Sequence, residues 1–391
     1  MRKKILFFLK PSGLMDRDMV AGFQEEGHDV CVHTLRMGQT PQGHEVQFFS
    51  TKDIIGILDS LRPDMIFSFN GFGLDKNGVL ARAYESRGIP FVTWFVDMPQ
   101  PADLGTNFVA GNSYIFVFDR IYLSLLNEAG FNRIDYLPLA TNPHRFRNIN
   151  GVERRDTVCF VGESDYKTIQ YAIRNIGEMV GTAAPAFLDA MDASITQQIS
   201  MRENDAWSIV TDVFPRYGQD VGGYPEVLKN LIAAFIEREA SLRQRLAIIS
   251  GVAKRFNTVV YGDDLWANVV SDGFRGRAHY FNDEIVEAYN ASSIYVNVSK
   301  YQLKQAINQR PFDISACGGF VLTDERADLR TLFTEKEIIF YTTLDDLVEK
   351  IAYYREHEKE RTAIAHRART RVLADHTYRN RIRIIMKCLF Q

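Results

Sequence analysis

Residues 297–324 read NVSKYQLKQAINQRPFDISACGGFVLTD. An apolar strand ends near Val298 and a polar loop follows. Pro311 opens a short helix, Gly318-Gly319 stops it, and Phe320 begins a second apolar strand. This is a strand–loop–helix–strand corner of a parallel sheet, and α/β proteins hold anionic ligands at such corners. The loop carries Asn308 and Arg310, and the first helical turn carries Asp313. A guanidinium between two apolar elements is expensive to leave without a partner, and its planar fork fits a diphosphate. Asp313 has two readings, a partner of the helix dipole or an acceptor for two ribose hydroxyls. Asn308 either closes the turn or meets the ligand.

The same alternation extends outward on both sides. Ile5–Leu9, Met65–Phe69, Phe91–Phe95 and Tyr114–Phe118 are continuous apolar runs, as expected of strands covered on both faces, and helical segments separate them. A second set starts with Val158–Val161 and resumes with Thr258–Tyr261, Ala278–Phe281, Ile294–Val298, Gly319–Leu322 and Ile338–Tyr341. The fold class is therefore α/β, with two doubly wound Rossmann-like domains facing a cleft. We expect an N-terminal domain over 1–150 and a second over 151–375. Residues 376–391 form a closing helix that packs back on the first domain. Between about 165 and 256 the period is helical, clearest over 225–255, where Leu228, Leu231, Ile232, Phe235 and Ile236 share one side and Glu237, Arg238, Glu239 and Arg243 the wet one. This segment reads as a helical insertion in the second domain.

Carboxyl-end loops single out further residues. Asp97 follows an aromatic strand in TWFVDMPQPAD and is either an acceptor-side group or a turn aspartate. Gly162 and Gly262 end strands, where glycine lets a ligand or a backbone come close, and Tyr261 precedes the second of them. Asp16-Arg17-Asp18 has the spacing of a metal–nucleotide motif, but acids at a helix start are ordinary. The arginines at 367, 369, 371, 379, 381 and 383 read as a solvated face, with phosphate steering as the alternative.

Composition narrows the classes. The chain has 391 residues, 46% hydrophobic, with a formal charge of -3, so it builds large cores and lacks the basic footprint of a nucleic-acid binder. Neither a GxGxxG fingerprint after the first strand nor a GxxxxGK[ST] loop is present, which removes the main support for nicotinamide and P-loop chemistry. Nothing approaches a membrane-spanning apolar run, and MRKKILFFLK reads as a first strand rather than a signal peptide. Four scattered cysteines suit a reducing cytoplasm and neither a zinc site nor a disulfide framework.

Three patches resemble the CgeB-like (spore-maturation protein) group of GT-B glycosyltransferases. They are PDMIFSF with GIPFVTWFVDMP; then VVYGDD, IVEAYNASSIYVNVS and NQRPFDISACGGFVLTDERADLRTLF; and DHTYRNRI. The resemblance implies GT-B architecture and transfer of a sugar from a nucleoside diphosphate, UDP-sugar first, to a protein or glycan hydroxyl, with no cofactor, no metal and no nucleic-acid partner. It places Asn308 and Arg310 on the group's N-x-R pair, with Arg310 and the helix opening at Pro311 facing the diphosphate. Asp313 falls at the second acid of a paired-glutamate motif, on the ribose. The first acid would fall near Gln305, which is not acidic, so the chain departs from the retaining pattern there. Gly162 and Gly262 would line the nucleotide pocket beside Tyr261. A nucleotide-sugar epimerase of the same build and a non-catalytic sugar-binding module are the alternatives.

Overall fold

The computed structural model describes residues 1–391 except 12, 14, 40–44, 49, 100–107, 109–110, 182–184, 281 and 391. It divides into two compact units, Met1–His144 with Val372–Gln391, and Arg145–Arg371.

The first unit is a six-stranded parallel sheet. Its strands are β1 (Lys4–Leu9), β2 (Asp29–Thr34), β5 (Met65–Phe69), β6 (Phe91–Phe95), β7 (Ser113–Val117) and β8 (Ile134–Tyr136), in the order β2-β1-β5-β6-β7-β8. β1, β5 and β6 are apolar at nearly every position because helices cover both faces, and Ile5–Phe7, Met65–Phe67 and Trp94 are fully buried. The helices are α1 (Asp16–Glu25), α2 (Thr51–Leu61), α3 (Val79–Ser86), α4 (Tyr122–Glu128) and, from the far end of the chain, α14 (Tyr378–Phe390). α14 lies on α1 where Gly22 makes room: a Cβ there would come within 2.7 Å of Ile382 Cδ1. Its Arg381 is buried and donates to the carbonyls of Pro138 (2.6 Å), Leu139 (2.8 Å) and Asp375 (3.0 Å). Arg379 and Arg383 both pair with Glu26 of the α1 C-terminus. A two-stranded antiparallel hairpin, β3 (Arg36–Gln39) with β4 (Glu45–Phe48), is a feature that sequence periodicity does not announce. Gln47 attaches it by accepting from Gly73 N and donating to the Leu74 carbonyl.

The second unit has a five-stranded parallel sheet of β9 (Arg155–Val161), β10 (Thr258–Tyr261), β11 (Ser292–Asn297), β12 (Phe320–Asp324) and β13 (Ile339–Tyr341), in the order β10-β9-β11-β12-β13. Helices α9 (Asp283–Ala291), α10 (Arg310–Ala316), α11 (Leu329–Leu332), α12 (Leu344–Glu356) and α13 (Glu358–Asp375) connect and follow these strands. Between β9 and β10 stand α5 (Tyr166–Val180), α6 (Pro185–Ser200), α7 (Ala206–Val213) and the 28-residue α8 (Glu226–Ala253). These four helices enclose their own core, which includes Ile176, Phe187, Ile195, Val210, Phe214, Ile232 and Ile236. The C-terminal half of α8 leaves that core and packs Ile248, Ile249 and Val252 on the sheet.

The strand expected over Ala278–Phe281 is absent among the described residues, and Phe281 itself lies outside them. Its place beside β10 is taken by residues 273–276. Val260 N donates to the Gly273 carbonyl, Arg275 N to Val260, and Gly262 N to Gly276, at 2.9–3.0 Å. Gly273 permits this approach, since a Cβ there would fall 1.8 Å from Thr258 O. Thr343 caps α12: Asp346 N donates to Thr343 Oγ1 (3.1 Å), and the Asp346 carboxylate accepts Thr342 N (2.9 Å).

Two glycines make opposite predictions. A Cβ on Gly262 would lie 2.4 Å from the Gly162 carbonyl and 2.5 Å from Trp266. Gly262→Ala should therefore cost about 1–3 kcal/mol through overpacking. A Cβ on Gly56, inside α2, meets nothing within 4 Å. Gly56→Ala should gain about 0.5–1 kcal/mol. Urea denaturation midpoints of the two variants check both signs.

Candidate functional site

The β11–α10 corner owes its shape to one amide. Asn308 donates from Nδ2 to Asn297 Oδ1 (2.8 Å) and accepts Arg310 N on Oδ1 (3.1 Å), while Asn297 Nδ2 donates to Thr323 Oγ1 (2.9 Å). Asn308 is thereby a turn closer that fixes where Arg310 begins the helix. The expectation that the helix start itself faces an anion needs correcting. α10 has only seven residues. Pro311 has no N–H, Arg310 N is held by Asn308, and Phe312 N and Asp313 N both donate to the Gln309 carbonyl. The capacity for an anion therefore rests on side chains.

Those side chains are three cations. Arg310 is half-buried, and among the described residues no carboxylate pairs with its guanidinium. Arg245, from α8, is 1% exposed and donates to the Glu163 carbonyl (2.7 Å) and twice to the Val298 carbonyl (2.8 and 3.2 Å). It thus ties the carboxyl ends of β9 and β11 together. Burial pushes its pKa down to about 9, and the Arg310 charge acts in the same direction. Lys300, three residues past β11, pairs with Asp165. Burial lowers its pKa, Asp165 opposes this, and Arg245 and Arg310 add to the lowering. Groups that perturb one another in this way share one small region, and their mutual repulsion is relieved when an anion enters.

Beside them, Asp324 at the end of β12 accepts Ser299 N and Ser299 Oγ, both at 2.9 Å, and takes Arg326 and Arg202 on its other oxygen. Two arginines thus share one carboxylate. Burial pushes the Asp324 pKa up, but Arg326, Arg202 and the Ser299 donors outweigh it and hold the group below the usual carboxylate range. Arg202 is itself lowered to about 10, chiefly by burial and then by Arg326.

The other expected residues fall in different places. Gly162 and Gly262 serve the approach of backbone to backbone: Gly162 N donates to the Tyr261 carbonyl (2.9 Å), and the Gly162 carbonyl fills the space of a Gly262 side chain. Tyr261 is half-buried, and burial raises its pKa. Asp313 is 1% exposed, and its charge bears on Tyr289 and Cys317. A group so covered meets a ribose only if its neighbours move. Gln305 accepts Asp328 N through its backbone carbonyl (3.1 Å). Asp97 belongs to the first unit, is exposed, and accepts from Asn70 Nδ2 (2.9 Å), so the corner residues and Asp97 lie in separate units. Residues 100–103 of its loop lie outside the described residues.

Two sequence readings are revised. Glu237 is not on a wet face: it is 4% exposed and bonds Lys304 Nζ at 2.7 Å. The arginines of α13 cap carbonyls. Arg367 donates to Lys336 (2.7 Å), Arg369 to Ala316 (3.1 Å) and Arg371 to Leu332 (3.3 Å), so they also seal helix and turn ends, while Arg367, Arg379 and Arg383 keep the exposure of a solvated face. Asp16 accepts Lys10 N (2.7 Å), and burial raises its pKa to about 6. It holds the β1–α1 loop. Among the described residues no group of His, Cys, Asp and Glu is arranged to hold a metal ion.

Lys300 and Arg245 are the members of the corner that sequence reading passed over. A signal for Arg245 existed, because it stands three, four and seven positions before Ile248, Ile249 and Val252, in an apolar stripe. A charge in such a stripe is a residue with a buried task.

The Asp324 shift sets a pH dependence. A carboxylate with a depressed native pKa stabilises the fold above its unfolded pKa, and this contribution is lost as pH falls through the native value. Unfolding free energy should therefore drop below about pH 4, and Asp324→Asn should flatten that acid limb. At neutral pH the same substitution should cost about 3–5 kcal/mol, because two guanidiniums lose their buried partner. Thermal unfolding from pH 3 to 8 checks both.

Residues 238–387 match the profile of the "Glycosyl transferase-like" family, a stretch that contains Arg245, Lys300, Arg310 and Asp324. Over 90 residues the chain is 36% identical to spore protein CgeB of Bacillus subtilis (strain 168), covering 22% of this chain and 27% of CgeB, so the match spans about a quarter of that relative. Solved structures align over the whole length. A glycosyltransferase from Rickettsia africae superposes with a TM-score of 0.58 at 12% identity, covering 100% of this chain and 99% of that one. HepE of Anabaena, solved in complex with UDP and glucose, gives 0.54 at 12% identity, with 99% of each chain covered. The fold is thus the GT-B fold of two parallel-sheet α/β units, and the glycosyl transferase-like pattern is carried by residues 238–387.

Proposed function

We propose that this protein is a glycosyltransferase that takes a sugar from a nucleoside-diphosphate donor, a UDP-sugar first, and passes it to an acceptor hydroxyl on a protein or glycan. The observation that carries the reading is Arg310. It is a half-buried guanidinium with no carboxylate partner among the described residues, and its charge acts on both Lys300 and the buried Arg245.

Breaking the sugar–diphosphate bond leaves growing negative charge on the departing diphosphate. Cations already in place stabilise that charge without reorganising, which is the largest single contribution in many enzymes. In this reading Arg310 forks onto the diphosphate and Lys300 supplies a second charge, released from Asp165 or shared with it. Arg245 holds the strand ends and adds its field, and these cations do the work a divalent ion does in other transferases. Asp97 is the proposed acceptor-side group, held by Asn70 and open to solvent. Retention of configuration is the outcome proposed from the family resemblance. No helix among the described residues is long and apolar enough to cross a membrane.

Arg310→Ala should weaken UDP binding by about 1.5–3 kcal/mol, roughly ten- to a hundredfold, while the melting temperature stays within a degree or two because no native pair is broken. Calorimetric titration of UDP against both proteins is the measurement. Equal affinities would remove the diphosphate from this corner. Product analysis with a nucleotide sugar and no acceptor separates transfer from epimerisation, since only an epimerase releases an isomerised sugar.

A further inference from the structure

The loop from Val298 to Gln309 carries Lys300 and leads directly into Arg310, the two cations proposed to meet the donor, and it is built mostly into the helical insertion. Three successive carbonyls are held by arginines from that insertion. Val298 O is bonded by Arg245 at 2.8 Å, and Ser299 O and Lys300 O are each bonded by Arg202 Nη2 at 2.8 Å. Arg202 stands in the turn between α6 and α7 and also bonds Gln244 Oε1 at 2.9 Å. Tyr301 is buried as a member of the insertion's own core. Its N–H donates to Ser241 Oγ (2.9 Å), its hydroxyl to the Ile199 carbonyl (3.3 Å), and Arg202 lies 4.2 Å over its ring. Three residues on, Lys304 Nζ donates to the Asn204 carbonyl (3.0 Å) and to Glu237 Oε1 (2.7 Å) in a pair whose two side chains are each 5% exposed.

From these contacts we infer that the helical insertion is the positioning element of the donor site, with Arg202, Ser241 and the Glu237–Lys304 pair fixing the loop that presents Lys300 and Arg310. The inference rests on the donor-site reading above, and none of these residues is assigned contact with the substrate. A twelve-residue loop left to itself would carry its cations through many conformations, and mutual repulsion among Arg245, Lys300 and Arg310 would drive them apart. A guanidinium that bonds two adjacent carbonyls removes backbone freedom where Lys300 sits. The buried Glu237–Lys304 pair defines one register, since slipping the loop by a residue would strand a charge in the core. Placement to within a fraction of an ångström is what preorganised charge requires.

The test uses the full chain. Arg202→Leu should speed amide hydrogen exchange over residues 299–304 and weaken binding of UDP and of inorganic diphosphate by roughly ten- to a hundredfold. Phe187→Leu is the control: it loosens the insertion's core against Phe214, far along α6 from the loop, and should lower the melting temperature with no change in UDP affinity. Should Arg202→Leu not fold, Ser241→Ala removes a single bond to Tyr301 N and should weaken UDP roughly three- to tenfold. Unchanged affinity in the loop-anchor variants overturns the inference, and so does an equal loss in Phe187→Leu, which would make the effect one of general stability. If the unaltered protein binds neither UDP nor diphosphate, the donor-site reading falls and this inference falls with it. Binding by the unaltered protein with no effect of the anchors removes the inference alone.

Discussion

A single buried carboxylate, Asp324, makes the carboxyl end of the second sheet possible. Guanidiniums resist burial, because removing each from water costs several kcal/mol unless a counter-charge and hydrogen bonds replace what water supplied. Asp324 provides that counter-charge for Arg202 and Arg326 at once and also receives both donors of Ser299. With those arginines neutralised, Arg202 can hold the backbone of the next loop. The remaining cations can then stay under-compensated, with Asp165 paired to Lys300 and acting on Arg245 only through its field. Charge is balanced where the scaffold needs it and left open at Arg310, the pattern expected where a ligand completes the balance.

Much of the fold was legible in the sequence because buried parallel strands advertise themselves. β1, β5, β6, β9 and β11 are apolar on both faces, and glycine and proline punctuate their ends. The hairpin of β3 and β4 escaped because its strands are four residues each and mix polar with apolar positions. The segment after Arg275 misled for the opposite reason: Ala278–Phe281 has strand-like composition, but the ladder position beside β10 went to residues 273–276, where Gly273 allows backbone contact that no side chain would.

At the candidate site, spacing pointed to the β11–α10 corner and to Arg310 as its candidate cation. What spacing could not show was how its parts divide their tasks. Asn308 has both amide atoms engaged in the turn, and Gly262 makes room for the Gly162 carbonyl. Asp313 is covered. Lys300 and Arg245 come from a loop and a helix 55 positions apart and meet only through the tertiary fold. Periodicity reports which face of an element is apolar, and it is silent about a charge buried for the sake of another element's carbonyls.

The return of α14 to the first unit bears on how the protein is made. Arg145–Arg371 is one uninterrupted segment that supplies all five strands of its sheet and an insertion core. The first unit is interrupted: the carbonyls of Pro138 and Leu139 wait for Arg381, Thr141 for its bridge to Thr377, and the groove over Gly22 for Ile382. Synthesis runs from the N-terminus, so the unit translated first is the one that completes last. Until residues 372–391 arrive, the face of α1 that receives α14 stands open to solvent, and the nascent chain must keep an unfinished domain from aggregating while the later one folds.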